Sequence, residues 1–376
     1  MDNIQRDAKE LDKEGFVKVN IIYDNIIFSL QKAGGISIYW AELIKRILKK
    51  EKVTFYELEN QNIFKKTLKI KTKNESNSNL KLLRYLPFLK KLPSKSIFHS
   101  SYYRVSLQQD IANITTVYDC TYEYYRSGLA KHIHIWQKAF AIKRSDGIIC
   151  ISENTKKDLL KFYPMIEKSK IKVIYNGVGE EFVKLENPKE FLVDELKVLK
   201  DIKYILYLGE RSSYKNFEIA VKVTEKLNDY SLVVVGGKEF HNAEKKMMKC
   251  IEKKVFHFRG IGVDKLNIIY SNAFCLLYPS SYEGFGIPIL EAMRAECPVV
   301  STNISSIPEV AGEAGLLVEQ IKPEDFIVEI KKLEDNKFRN KLIKKALEQS
   351  KKFNWDKCFD ETYKFYEEVL NKKFGK

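Results

Sequence analysis

Histidine, paired cysteines and long apolar runs are scarce in this 376-residue chain. It has five histidines, and His132 and His134 are two apart, which on a helix turns them to different faces. No two of its six cysteines form a C-x-x-C pair, so neither a zinc site nor a disulfide framework is predicted. We expect no metal and six reduced thiols, at Cys120, Cys150, Cys250, Cys275, Cys297 and Cys358.

No apolar stretch is long enough to cross a bilayer. The longest uncharged run, residues 266–282, has 17 residues and includes Asn and Ser. The first ten residues, MDNIQRDAKE, are charged, so we expect no signal peptide. A G-x-G-x-x-G fingerprint is also missing, which leaves a dinucleotide dehydrogenase without support. These absences favour a cytoplasmic protein.

The apolar runs that are present alternate with helical segments. Six of them (VKVNIIYD, VTFYELE, SIFHS, ITTVYD, GIICIS, IKVIYNGV) precede residue 186, and five follow it (YILYLG, SLVVVGG, VFHFRG, AFCLLYP, CPVVST). This pattern predicts two doubly wound (Rossmann-like) parallel-sheet α/β domains that face each other across a cleft, residues 1–185 and 186–354. We expect the polar stretch 71–79 to be mobile and the tail, 355–376, to be a helix.

The most informative segment is EGFGIPILE, which begins at Glu283 and ends at Glu291. Residues 287–294 predict a helix with a proline near its first position, and Gly284 and Gly286 let the backbone approach a ligand. The amides that open such a helix attract anions. One ligand with hydroxyls at its ends and a phosphate between them suits this spacing, and a nucleotide-sugar fits best. The plainer alternative is that acids near a helix start only suit its dipole.

Residues 280–318, SSYEGFGIPILEAMRAECPVVSTNISSIPEVAGEAGLLV, resemble the glutamate-x7-glutamate region of retaining glycosyltransferases of family 4, which have the GT-B fold. The resemblance implies that Glu291 binds the ribose hydroxyls, that Glu283 meets the transferred sugar, and that Gly284, Phe285 and Gly286 line the donor. Glu296 replaces a glycine that is usual in the family, and we expect its side chain to point to solvent.

A second segment, GERSSYKNFEIAV from Gly209 to Val221, resembles the family's G-x-R-x-x-x-K-N signature. The resemblance implies that Arg211 and Lys215 bind the diphosphate, with Gly209 beside it. Two fixed cations would stabilise the charge of the leaving group without a metal. The alternative is a solvated charge pair.

Two segments of the first domain resemble family motifs, but each has a residue that differs from the usual one. Gly34 and Gly35 resemble a Gly-Gly loop that packs against the phosphates, but Ile38 replaces the frequent arginine. Tyr118 and Asp119 stand where many relatives have His-Asp beside the donor sugar. Tyrosine is a poor base near neutrality, because its reference pKa is about 10. We assign Tyr118 and Asp119 to the catalytic position.

The net charge of +15 is concentrated in the basic window, residues 65–95, which has ten Lys or Arg and one acid. Its segment LKLLRYLPFLKK has the leucine, aromatic and cation mixture of a membrane-interface segment. RNA binding and a solvated helix face are the alternatives. In the family the first domain commonly meets a lipid-linked acceptor, which favours the inner face of the cytoplasmic membrane.

Together the resemblance implies a retaining, metal-independent hexosyltransferase. It would move a sugar from a nucleoside-diphosphate donor to a hydroxyl of a bacterial surface glycan or a lipid-linked glycan. The segments TYEYYRSG, FHSSYYR and SENT resemble one bacterial polysaccharide-biosynthesis subgroup of the family, and this resemblance favours GDP-mannose as the donor. Tyr118 and Ile38 keep a non-transferring nucleotide-sugar binder as an alternative. A nucleic-acid-binding protein is suggested by charge alone and leaves the glutamate pair unexplained.

Overall fold

The computed structural model describes residues 20–75 and 83–375 and contains two parallel sheets flanked by helices. The first sheet has the strand order β3-β2-β1-β4-β5-β6-β7. Its strands are β1 (Ile21–Asp24), β2 (Val53–Glu57), β3 (Thr72–Asn74), β4 (Ser96–Ser100), β5 (Ile111–Val117), β6 (Gly147–Cys150) and β7 (Ile171–Val173). Its helices are α1 (Ile26–Leu30), α2 (Gly35–Lys50), α3 (Ile63–Lys66), α4 (Thr121–Tyr125), α5 (Gly128–Arg144) and α6 (Glu153–Phe162).

The second sheet has the order β10-β9-β8-β11-β12-β13, again all parallel. Its strands are β8 (Tyr204–Leu208), β9 (Ser231–Val235), β10 (Val255–Phe258), β11 (Cys275–Tyr278), β12 (Val299–Thr302) and β13 (Leu316–Val318). Its helices are α7 (Phe217–Lys226), α8 (Asn242–Met247), α9 (Val263–Asn272), α10 (Ile287–Arg294), α11 (Ile307–Ala311), α12 (Pro323–Lys332) and α13 (Asn336–Lys351). The predicted architecture of two doubly wound domains is confirmed. In each, the loops at the carboxyl ends of the strands are the expected ligand side.

The predicted tail helix is α14 (Trp355–Phe374), and it crosses back to the first domain. The hydroxyl of Tyr366 lies 2.6 Å from Nδ1 of His99 on β4 and 3.1 Å from the hydroxyl of Tyr23 on β1. Burial lowers the pKa of His99 to about 3, so the ring is neutral at pH 7. A helix that follows the second domain therefore completes the core of the first.

Two strands were missed by the sequence patterns. β3 lies inside the polar stretch predicted to be mobile, and β13 lies within Gly-Leu-Leu-Val. All three side chains of β3 are exposed, because an edge strand pairs through its backbone and needs no apolar face. The prediction of mobility was therefore wrong for residues 72–74, and its part from residue 76 lies outside the described residues.

Five of the six cysteines are buried, Cys250 is exposed, and all six are free thiols. Glu296 keeps the tight turn after α10 by adopting a left-handed φ of 57°. Its carboxylate is partly exposed and forms an ion pair with Lys184 at 3.1 Å. Within the described residues, no helix has the length and apolar character needed to cross a membrane.

Candidate active site

The EGFG loop, residues 283–286, leads from β11 into α10 at the boundary between the domains. Gly286 precedes α10 with a φ of 106°, a conformation that favours glycine, and Pro288 lies in the first turn as predicted. A Cβ on Gly284 would lie 2.0 Å from the carbonyl oxygen of Tyr118, so the two domains meet here backbone to backbone. The predicted helix, 287–294, is confirmed.

Glu283 and Lys215 form an ion pair beside this loop. Nζ of Lys215 lies 2.5 Å from Oε1 of Glu283 and 3.2 Å from the hydroxyl of Tyr278. The hydroxyls of Ser305 and Ser306 donate to the carbonyl oxygen of Glu283 at 2.6 and 2.9 Å. The side chains of Glu283 and Lys215 are 11% and 15% exposed, so the pair is largely withdrawn from water. The pair also connects the EGFG loop to the segment after β8.

Glu291 lies inside α10 and is buried. Its Oε2 accepts a hydrogen bond from the hydroxyl of Tyr270 at 3.0 Å. Burial raises the pKa of Glu291 to about 7. The hydrogen bond from Tyr270 lowers this pKa, and the negative charge of Glu181 raises it. A carboxyl that titrates near neutrality at a domain boundary is a functional-site candidate.

Arg211 follows β8 as predicted, but its guanidinium is already engaged. Its Nε donates to Glu244 at 2.7 Å and its Nη2 to the carbonyl oxygen of Lys238 at 2.7 Å. The guanidinium also lies over the ring of Phe240, 4.6 Å from the centroid. Burial acts to raise the pKa of Glu244, but hydrogen bonds from Arg211 and the His241 amide hold it below its ordinary value. Arg211 therefore ties the loops after β8 and β9 together.

The first domain brings Asp119 to the EGFG loop. Its Cβ lies 3.1 Å from where a Cβ on Gly284 would be, and its Oδ1 accepts from the Thr121 amide at 2.8 Å. The side chain of Tyr118 points the other way. Its hydroxyl donates to the carbonyl oxygen of Ser101 at 3.1 Å, and its ring packs against Tyr39. The expected position of Tyr118 beside a sugar is thus not the one its side chain occupies in this structure, since the ring is buried in the first domain.

The other predicted glycines lie at loop starts. Gly209 follows β8 with a φ of 117°, in open space. Gly34 precedes α2 and Gly35 begins it, and a Cβ on Gly34 would lie 2.7 Å from Oε1 of Gln31. The carbonyl oxygen of Lys32 in this loop accepts a hydrogen bond from the Ile63 amide at 3.0 Å, a contact within the first domain. Phe285, also predicted, is buried beside Tyr175 and Phe353.

Sequence reasoning missed the residues that join the domains. The hydroxyl of Tyr282 accepts from the Cys120 amide at 2.8 Å and donates to Asp158 at 3.0 Å. Tyr125 and Tyr214 face each other across the boundary with ring centroids 5.1 Å apart. Tyr282 directly precedes the glutamate motif, which was the one available signal. Among the described residues no group of three or more His, Cys, Asp or Glu side chains is placed to hold a metal.

The chain matches two glycosyltransferase family models. Residues 33–182 match "Glycosyltransferase Family 4" and residues 188–349 match "Glycosyl transferases group 1". The chain is 31% identical over 174 residues to the O-antigen chain mannosyltransferase B of Escherichia coli, an alignment that covers 43% of this chain and less than half, 45%, of that protein. With the O-antigen chain mannosyltransferase RfbU of Salmonella typhimurium it is 26% identical over 72% of this chain and 76% of that protein.

Solved structures share the fold at low identity. HepE of Anabaena, solved in complex with UDP-glucose, superposes with a TM-score of 0.72 at 14% identity, over 92% of this chain and 98% of that one. WaaG, a glycosyltransferase involved in lipopolysaccharide biosynthesis, gives 0.69 at 16% identity, over 95% of this chain and 100% of that one. With two facing Rossmann-like domains, and with both halves of the chain matched by these families, the protein belongs to the GT-B glycosyltransferases of the family 4 type.

Proposed function

We propose that the protein transfers a sugar from a nucleoside diphosphate to an acceptor hydroxyl, with the donor held mainly by the second domain. The observation that carries this proposal is the arrangement around the EGFG loop. Glu283 and Lys215 lie at its start, Glu291 lies one turn inside α10, and Asp119 faces it from the first domain. Glu283 would bind the sugar hydroxyls and Glu291 the ribose hydroxyls. The start of α10 and the cation of Lys215, which suit a phosphate, lie between them.

Lys215 is the cation best placed for the diphosphate. It sits on the loop after β8, in contact with Glu283, so a phosphate at the start of α10 would share its charge. Arg211 reaches the diphosphate in this proposal only by exchanging contacts with Glu244 or the carbonyl oxygens that it now holds. We therefore assign the larger share of leaving-group stabilisation to Lys215.

Retention of anomeric configuration is proposed from the family resemblance. The acceptor would attack from the face that the diphosphate leaves, and a phosphate oxygen would take the acceptor proton. No ionised tyrosine is needed in this scheme, and burial raises the pKa of Tyr118 well above its ordinary value. Asp119 would then shape the sugar end of the site rather than act as a nucleophile.

The donor sugar is proposed to be mannose, carried by GDP, and the acceptor a bacterial surface glycan or its lipid-linked precursor. Two relatives named as O-antigen chain mannosyltransferases support this choice. The solved complex of HepE contains UDP-glucose, so UDP-sugars are the first competitors to test.

Release of nucleoside diphosphate tests the proposal. The protein is incubated with GDP-mannose, UDP-glucose and UDP-N-acetylglucosamine, with and without membrane lipid extract, and free diphosphate is measured. Release that depends on Lys215 supports a transferase. Tight donor binding without release from any donor would favour the non-transferring binder.

The membrane is the proposed partner of the first domain, where an apolar and basic surface supports it. Leu89 is 70% exposed in the basic window, and Leu129 and Trp136 on α5 are 75% and 61% exposed. The side-chain amide of Gln137 on α5 donates to the carbonyl oxygen of Arg84, which places the two segments side by side. Neither residues 83–95 nor α5 contain an acid, so this surface complements an anionic bilayer.

A further inference from the structure

The start of α6 in the first domain is capped by a carboxylate from the second. The backbone amides of Glu153 and Asn154 donate to the two carboxylate oxygens of Glu309 at 2.9 and 2.7 Å. Glu309 lies on α11, and the hydroxyl of Tyr175 also donates to it at 3.3 Å. First-turn amides have no partner within their own helix and carry the positive end of its dipole, so a carboxylate suits them. We call this contact the interdomain cap.

The same turn of α6 also holds the EGFG loop. The hydroxyls of Ser152 and Thr155 both donate to the carbonyl oxygen of Gly284, at 2.8 and 3.1 Å. The hydroxyl oxygen of Ser152 also accepts a hydrogen bond from the Thr155 amide. Ser152 therefore caps α6 and at the same time bonds to the second domain. The glycine that it holds directly follows Glu283.

A third contact links the cap to the Glu283 backbone. The side-chain amide of Asn154 donates to the hydroxyl oxygen of Ser305 at 3.1 Å. That hydroxyl donates to the carbonyl oxygen of Glu283 at 2.6 Å. Contacts from one helical turn thus reach the loop before α10 from two sides.

We propose that Glu309 is a positioning residue that holds the two domains together with Asp119 against the EGFG loop. Separation of the domains would break the hydrogen bonds between its carboxylate and two helix amides, and would break the Gly284 and Ser305 contacts at the same time. Glu309 therefore acts on Glu283 through α6 and Ser305, without contacting the reacting atoms itself. The effect on turnover rests on the proposed function, whereas the effect on domain arrangement does not.

Energy transfer between the domains tests this directly. Cys250 is exposed in the second domain while the other cysteines are buried, so one dye goes there and the other on Lys49→Cys at the exposed end of α2. Glu309→Gln keeps the shape of the side chain and removes its charge. We expect a shift in transfer efficiency and a broader distribution than in the parent protein. Glu313→Gln is the matched control, since that side chain is 93% exposed, and it should leave the distribution unchanged.

Kinetics give a second readout. Transfer by Glu309→Gln should fall about tenfold in kcat, the scale of losing one charge-assisted hydrogen bond, while Kd for GDP and UDP stays within about twofold. Circular dichroism checks folding, and Glu309→Asp, which keeps the charge on a shorter arm, should fall between wild type and Glu309→Gln. Unchanged energy transfer in both Glu309 variants would overturn the proposal. Altered energy transfer in a protein that turns over no donor would uphold the cap and reject the transferase.

Discussion

At the scale of single residues, the proposed donor site has two cations with different surroundings. Lys215 contacts Glu283 and Tyr278 at the boundary of the domains, whereas Arg211 is enclosed by Glu244 and the loop after β9. The sequence motif predicted that both cations lie on one loop and that both bind the diphosphate. Their partners lie 68 and 33 residues away in the chain, so the difference was not accessible from spacing.

Replacing each cation should therefore have different consequences. Lys215→Ala should slow turnover by about 10²–10³-fold, the range for removing one preorganised charge stabiliser. It should lower the free energy of unfolding less than Arg211→Ala does, because Arg211 also holds the carbonyl oxygen of Lys238. Arg211→Ala should also lower the free energy of unfolding, by about 3–5 kcal/mol, because it leaves the buried Glu244 carboxylate without its cation. Turnover and urea unfolding are measured for both, with the exposed Lys222→Ala as control. Equal stability of the two variants would contradict the assigned roles.

Glu291 should make stability depend on pH. Its pKa is raised from 4.5 to about 7, so the folded protein keeps a proton that the unfolded chain releases. The free energy of unfolding should therefore fall as pH rises from 4.5 to 7, by about 3 kcal/mol at 1.36 kcal/mol per pH unit, and stay level above. Glu291→Gln still accepts from Tyr270 and should remove this contribution. Urea unfolding at pH 5 and pH 8 measures it, and an identical pH dependence in the variant would refute it.

At the scale of elements, the sequence predicted the strands that are buried apolar runs and missed two three-residue edge strands, β3 and β13. β8 and β9 are buried apolar runs and were predicted, whereas β3 is an exposed edge strand. The direction of a side chain was equally hidden. Tyr118 follows β5, and whether it faces the cleft or the core depends on a hydroxyl partner, Ser101, from another loop.

The EGFG loop tolerates no side chain at its second position. In Gly284→Ala the added Cβ would meet the carbonyl oxygen of Tyr118 at 2.0 Å, and only a shift of the loop or separation of the domains relieves this. We expect transfer to fall at least about tenfold, since small misplacements of a site can cost up to about 10²-fold. Gly262→Ala is the control, because a Cβ there has no neighbour within 4 Å. Equal activity of the two variants would show that the domains do not meet at this glycine during turnover.

At the scale of the whole molecule, two similar domains have different tasks in this account. The second supplies Glu283, Glu291 and Lys215, and the first supplies Asp119 and the proposed membrane surface. The two-domain architecture was predictable from alternating strand and helix patterns. The contacts between the domains were not, because Tyr282 and Cys120 are separated by 162 residues and share no pattern.

Membrane binding should depend on the exposed apolar and basic residues of the first domain. Lys90→Ala with Lys91→Ala should weaken binding to anionic vesicles by about 2 kcal/mol, at about 1 kcal/mol per charge, and Trp136→Ser should weaken it further. Lys81, predicted to share this role, lies outside the described residues. Co-sedimentation with vesicles rich in phosphatidylglycerol measures this, with Val328→Ser, an exposed apolar residue of the second domain, as control. Unchanged binding in all variants would favour the solvated-face interpretation of the basic window.

The central claim is that the second domain binds both the ribose and the transferred sugar of a nucleotide-sugar. Calorimetric titration of two variants with two ligands tests it. The ligands are GDP and GDP-mannose, or the UDP pair if the donor screen selects it. Glu291→Ala should weaken binding of both ligands, because the ribose is common to them. Glu283→Ala should leave the diphosphate affinity unchanged and weaken only the sugar-bearing donor. Equal losses for both ligands in both variants, or none in either, would contradict the account.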